Sequence, residues 1–291
     1  MKSDARARSK GSGFVMPMVL LATVVVGMGV GVAMTRFAAQ TKVVARQARA
    51  YNEHHAGRGL QEAIGAWLRQ QNGRNIGDAI DPDSGHAMDI ELKDGSVVSV
   101  YLRDGQGTAL ADLGSVPSNR IEEAGLVIKN LSDSVSTREY LRLTRSVGPS
   151  AISINSAPEA VVRAVAEAVG GADGEAFADE LLRIRARGRE ITRQDITSSI
   201  GAAGLSKEQR TAALRMMSTD ISLWAVIVEL RGGAGLQRGR LLSRYGGLAR
   251  LRVGTTRNST SNPSELGSFL TWRELSTESD EIELEDLDAI N

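Results

Sequence analysis

The 291-residue chain carries 35 Lys or Arg against 35 Asp or Glu, so no global field steers it toward nucleic acid. It has no cysteine, which excludes a disulfide framework, thiolate zinc, an iron–sulfur cluster and a cysteine nucleophile. Its length allows one to three compact units.

Residues 1–13, MKSDARARSKGSG, are short, basic and read as unstructured. From Phe14 to Met34 no residue is charged. About 20 apolar residues span a bilayer core as a helix, so 14–34 is expected to be a retained transmembrane anchor. A cleaved secretory signal would have a shorter apolar region and a small-residue cleavage site. Lys2, Arg6, Arg8 and Lys10 favour a cytoplasmic N-terminus, but Arg36, Lys42, Arg46 and Arg49 lie just beyond the segment. The charge rule alone is close to a tie. Gly27 and Gly31, four apart, either let a second helix approach closely or reflect ordinary glycine content.

The helix is expected to continue as an amphipathic segment over 35–71, with Phe37, Val44, Ala48, Tyr51, Leu60, Ile64, Trp67 and Leu68 near helical spacing. Asn72-Gly73 would end it. His54 and His55 are helix neighbours about 100° apart and do not form a two-ligand face.

Asp78, Asp81, Asp83 and Asp89 crowd the following loop, with His86 alone among them. Calcium takes several oxygen ligands from such loops, and Asp78, Asp81 and Asp83 are the candidates. The spacing is not that of an EF-hand, and a solvated acidic turn is the plainer expectation. No other metal or cofactor is expected. MDIELK and SVVSVYL flank Asp94-Gly95, a two-residue hairpin signal. That turn would put Met88, Ile90 and Leu92 on one face with Val97 and Tyr101.

Residues 118–220 are expected to be all-helical. Ser136, Ser156 and Ser206 each open a capping-box pattern, and Thr192 is a further cap candidate. Strands are expected at Leu223–Arg231, Leu248–Val253 and Phe269–Leu275. The last stretch, 276–291, has seven acids and no base and reads as a solvated tail. The layout predicts an α+β chain, with β regions at 72–117 and 221–275 and the helical block inserted between them.

Residues 152–196 resemble a helix-hairpin-helix module, in which backbone amides of the turn hold a phosphate. Here the turn, Gly170 to Glu175, carries two acids. Across 151–220 there are nine Lys or Arg and ten Asp or Glu, so nucleic acid is not expected to bind. Arg183, Arg185, Arg187 and Arg189 are the contrary signal; a charged helix face beside Glu180 and Glu190 accounts for them. Gly233-x-Gly235 lacks the full dinucleotide spacing. With no G-x-S-x-G nucleophile motif and no paired carboxylates, an enzyme is not expected.

Two stretches carry a family resemblance. Lys10-Gly-Ser-Gly13 before Phe14 and a long apolar helix looks like a prepilin leader, which prepilin peptidase processes after glycine. The helix start Asn155-Ser156-Ala157-Pro158-Glu159 resembles a signature of the general secretion pathway protein K family, the minor pseudopilins of type II secretion. Trp272 in FLTWREL fits that family's closing strand. The resemblance implies a pilin-like fold, a long N-terminal helix plus antiparallel sheet, with an inserted SAM-like or helix-hairpin-helix-like domain. It implies a single-pass inner-membrane protein, cytoplasmic at the N-terminus and periplasmic in bulk, that assembles with other minor pseudopilins and the secretion machinery. Most pilins carry a glutamate five residues into the mature chain; here that position is Met18, as in a subunit that initiates or caps a fibre. The alternative is a membrane-tethered DNA receptor of an uptake system, and an enzyme of unknown type comes third.

Overall fold

The computed structural model describes residues 15–70, 76–77, 80–233, 238–251 and 268–278. The expected leader junction Gly13–Phe14, the Asn72-Gly73 helix stop, Asp78 and the acidic stretch from 279 onward lie outside them. The chain divides into two units, Met1–Arg58 and Gly59–Asn291.

The first unit is helical wherever it is described. Helix α1, Val15–Gln70, starts here and runs without a break. Pro17 falls in its first turn, where the missing N–H would have had no partner in any case. Every described residue from Met16 to Ala48 is exposed. The threonine hydroxyls in this stretch are satisfied by the helix itself. Thr23 Oγ1 donates to the Val19 carbonyl at 2.6 Å, and Thr35 and Thr41 do the same to Val32 and Phe37, each at 2.9 Å.

The second unit opens with the last turns of α1. Strands β1 (His86–Glu91) and β2 (Val97–Asp104) form a hairpin. The chain then makes a short strand β3 (Ala109–Leu110), helices α2 (Ile121–Ser134) and α3 (Thr137–Leu143), and short strands β4 (Thr144–Arg145) and β5 (Ile152–Ser153). Helices α4 (Glu159–Gly170), α5 (Gly174–Ala186), α6 (Arg193–Ala202) and α7 (Lys207–Met216) follow, closed by β6 (Met217–Ser218). Strands β7 (Leu223–Arg231), β8 (Leu241–Arg250) and β9 (Arg273–Leu275) complete the unit.

The main sheet has the order β1-β2-β7-β8-β9, antiparallel throughout. Asp104 at the end of β2 sits opposite Trp224 at the start of β7, so the whole helical stretch takes the place of a hairpin loop between neighbouring strands. The fold is α+β, with a long N-terminal helix, an antiparallel sheet and a helical block between its strands.

The sheet has two different faces. On one, Val98, Val100, Leu102, Trp224, Val226 and Val228 pack with Ile64 and Leu68 of α1, and both helix residues are fully buried. Leu60, Trp67 and Trp272 border the same core. Trp272 stacks on Tyr245, with centroids 5.9 Å apart, and meets Phe269 edge-on. The opposite face buries Leu223, Ala225, Ile227, Leu248 and Leu275, with an ion pair at its end. There Glu229 accepts from Arg244 at 2.6 Å, and both side chains are buried. Burial pushes the Glu229 carboxyl up, but hydrogen bonds from Arg244 and Arg231 outweigh it and hold the group below the ordinary glutamate range.

Three sequence expectations are corrected here. The hairpin loop is Lys93-Asp94-Gly95, not Asp94-Gly95 alone: Gly95 has φ +79°, and Leu92 N–H donates to the Ser96 carbonyl at 2.8 Å. The extra loop residue moves the register by one, so Ile90 faces Val98 and Met88 faces Val100. Val97 and Tyr101 therefore lie on the other face, because a one-residue slip inverts every side chain. Strand β8 starts at Leu241, ahead of the expected Leu248, and runs through Gly246-Gly247. A Cβ on Gly247 would lie 2.1 Å from the Thr271 carbonyl, so only glycine fits where that segment crosses the strand. The expected strand Phe269–Leu275 is regular only over Arg273–Leu275, preceded by a single bridge from Phe269 to Ala249.

Candidate functional site

The helical block is built around α4. Its buried residues Val161, Val162, Val165 and Ala166 share a core with Leu131 of α2, Phe177 and Leu181 of α5 and Ala213 of α7. Ala109, Leu110 and Val116 belong to the same core, so the chain joins the block ahead of residue 118. Ser136, Thr192 and Ser206 cap their helices as their side chains predict, and the last two form reciprocal capping boxes.

The five residues of the signature stretch have separate tasks. Asn155 clamps a distant backbone: its Oδ1 accepts from Ile191 N–H at 2.7 Å, and its Nδ2 donates to the Ile191 carbonyl at 3.1 Å. Ala157 is buried, and Pro158 is the N-cap residue of α4 with no side-chain cap. Glu159 accepts from Arg163 at 2.9 Å. Ser156 does not cap the helix, contrary to the sequence pattern. It donates instead to Asp104 Oδ2 at 2.6 Å, which ties the start of α4 to the end of β2.

Residues that the sequence did not single out hold the base of the block. Gln106 is buried; its Nε2 donates to the Ala151 carbonyl at 3.0 Å, and its Oε1 accepts from both Ser222 N–H and Ser222 Oγ at 2.8 Å. Arg145, also buried, donates to the Thr108 and Pro149 carbonyls. Carbonyls held by a charged guanidinium make stronger bonds than neutral pairs. Both chain crossings between sheet and block are thereby fixed at one place.

The arginine run is largely consumed inside the block. Arg183 pairs with Glu180 at 2.5 Å, and Arg189 pairs with Asp195 at 2.6 Å. Arg185 donates to the Ile154 carbonyl at 3.2 Å and to that of Ala157 at 2.5 Å. The Asp195 carboxyl sits below the ordinary aspartate range, held there first by the Thr192 hydroxyl and backbone and then by Arg189. At the helical hairpin, a Cβ on Gly174 would lie 2.6 Å from the Ala166 carbonyl. That glycine serves the close approach of α5 to α4.

Of the calcium candidates, Asp81 and Asp83 share one turn, and Asp78 lies outside the described residues. Asp81 Oδ2 accepts from Ser84 Oγ at 2.5 Å, and its other oxygen accepts from Asp83 N–H, so it shapes its own turn. Asp89 pairs with His86 Nε2 at 3.0 Å. Among the described residues, no three His, Cys, Asp or Glu side chains are grouped to hold a metal.

In the first unit, Met16–Ala48 is long and apolar enough to cross a membrane. Met18 is exposed within it, and a Cβ on Gly27 or Gly31 would meet nothing within 4 Å. Thirty-three residues at 1.5 Å each extend roughly 50 Å, more than the hydrocarbon thickness of a bilayer.

No family model matches this chain. No curated protein matches it by sequence. Among solved structures, it is similar to a chain in the crystal structure of the GspK-GspI-GspJ complex from the type 2 secretion system of enterotoxigenic Escherichia coli. The two share 11% identity over 79% of this chain and 100% of that one, at a TM-score of 0.45.

Proposed function

We propose that this protein is a minor pseudopilin, anchored in the inner membrane by its N-terminal helix, that initiates or caps the pseudopilus of a type II secretion system. One observation carries the reading. A single unbroken helix is uncharged and exposed in its first turns and, in its last turns, buries Ile64 and Leu68 against an antiparallel sheet. Exposed Leu, Val and Met side chains forfeit about 25 cal/mol for each Å² left in water, so this stretch calls for lipid or other helices around it. The threonine hydroxyls already bonded to the helix carbonyls suit the same environment, where unsatisfied polar groups are costly. The basic stretch ending at Gly13 supports processing by prepilin peptidase.

The function is assembly rather than turnover. The anchor would pack beside sister helices, with Gly27 and Gly31 allowing close approach. Met18 places no carboxylate where a repeating subunit would answer its neighbour's N-terminal amine. A copy stacked on itself would leave that amine unpaired in an apolar setting, at a cost of a few kcal/mol if it stays charged. One copy at the end of a mixed fibre avoids repeating this penalty. The helical block would then form the distal bulk of the tip, on the periplasmic side.

Two measurements test the reading. Intact mass of the protein from its native host is expected to show a chain beginning at Phe14; a chain still beginning at Met1 with the peptidase present would overturn it. Imaging after overexpression, with and without partner pseudopilins, is expected to show incorporation into mixed fibres only. Regular fibres of this protein alone would refute the tip role. The DNA-receptor alternative is tested by titrating the protein with duplex DNA at low salt. No binding is expected, because Arg183, Arg185 and Arg189 are engaged internally and the charge across 151–220 is nearly balanced. Micromolar affinity falling steeply with salt would put that alternative first.

A further inference from the structure

We infer that an open cleft on the helical block, between α2, α3, α4 and the start of α5, is a docking site for a cationic, partly apolar segment of a partner protein. The cleft encloses about 800 Å³, within the roughly 300–1,000 Å³ range of built ligand sites. Leu143, Ala160 and Ala164 supply apolar surface within it. Ala160 and Ala164 lie one turn apart on α4, and their small side chains leave depth for an incoming residue.

The charge around this lining is one-sided. Glu139, Glu159, Glu167 and Glu175 all line the cleft, and Arg163 is the one cationic residue lining it among the described residues. Arg163 is already committed, to Glu159 at 2.9 Å and to Asp179 at 2.8 Å. Glu139, Glu167 and Glu175 make no side-chain hydrogen bond or ion pair among the described residues, and all three are exposed. Three uncompensated carboxylates around apolar surface repel nucleic acid and anionic lipid and attract cations.

The spacing of the acids decides which cation. No three carboxylates converge as a metal would require, so a single ion cannot satisfy them together. A chain that carries Lys or Arg at intervals, with aliphatic side chains between, can answer separated carboxylates and fill the floor at once. Elsewhere on the block, the half-buried Glu180 and Asp195 are each paired to an arginine. This site does not depend on leader cleavage or on fibre assembly, and it stands or falls separately from the pseudopilin reading.

The test uses the full chain in nanodiscs and a fluorescently labelled peptide of lysine and leucine at helical spacing, with empty nanodiscs as background. The peptide is expected to bind the wild type about tenfold more tightly than the combined variant Glu139→Gln, Glu167→Gln and Glu175→Gln. Ala160→Phe, which fills the floor and keeps every charge, is expected to weaken binding by a comparable factor. Glu91→Gln, at an exposed acid on strand β1 of the sheet and outside the block, serves as a control and is expected to change nothing. Equal affinity for the wild type and the combined variant would overturn the proposal, as would equal losses from Glu91→Gln.

Discussion

The two ends of α1 use similar residue types in opposite ways. Before Arg58 its Val, Leu and Met side chains are contiguous and exposed; after Gly59 its apolar residues recur at helical spacing and are covered by the sheet. Contiguity suits an environment that is apolar on all sides, whereas periodicity suits one wall. The contrast predicts that the first stretch contributes almost nothing to the stability of the chain outside a membrane, and that the second contributes a great deal.

The largest effect should come from Leu68→Ala. Leu68 is fully buried, and its truncation is expected to lower unfolding stability by about 2–5 kcal/mol, read from denaturant unfolding of the detergent-solubilised protein. A loss of less than half a kcal/mol would break the comparison. Asn155→Ala should follow. It removes both bonds to the Ile191 backbone, within the helical block, and is expected to cost about 1–3 kcal/mol. If the second unit is cooperative, amide exchange should rise in the last turns of α1 as well as in the helical block. Exchange confined to the block would show that the helix end and the block open independently.

Acid should act on the same unit. The folded Glu229 carboxyl lies below its ordinary value of 4.5, so its pairing with Arg244 stabilises the fold fully above that pH. The contribution is lost as the pH falls through the lower folded value, leaving the buried Arg244 guanidinium without its anion. Glu229→Gln should flatten this part of the stability–pH curve, and an unchanged curve would show that other carboxylates govern acid unfolding. Gly59→Ala tests the border between the two stretches. A Cβ there meets nothing within 4 Å, so the substitution should stabilise the helix by about 0.5–1 kcal/mol. Destabilisation would mean that the helix has to flex at that position. The smallest change belongs to Leu21→Ala: the side chain is 68% exposed, and its loss should shift unfolding by less than about 0.5 kcal/mol.

What was legible in the sequence follows the range of the interactions involved. The long apolar helix, the caps at Ser136, Thr192 and Ser206, and the strand Leu223–Arg231 depend on neighbours within a few residues, and the structure shows each of them. The hairpin register was missed because Asp94-Gly95 fits a two-residue turn as well as the three-residue loop that forms. Ser156 was misread because its partner, Asp104, lies on another element. Gln106 and Arg145 gave no signal, since both serve backbone carbonyls and amides that have no sequence signature. Of the candidate site, Asn155 was marked by resemblance alone; its grip on Ile191, on a different segment, could not be read from spacing. Asp81 accepts a hydrogen bond from Ser84 and Asp89 pairs with His86, local partnerships that the crowding of acids in the sequence does not reveal.

The placement of the tryptophans has a spectroscopic consequence. The chain's three tryptophans, Trp67, Trp224 and Trp272, all border the core between the last turns of α1 and the sheet. Intrinsic emission excited at the indole band therefore reports on that one core. A red shift marks the moment when the helix leaves the sheet, and events along the exposed apolar stretch or in the helical block stay dark unless they reach it. An added tryptophan in that stretch or in the block would supply the missing colour.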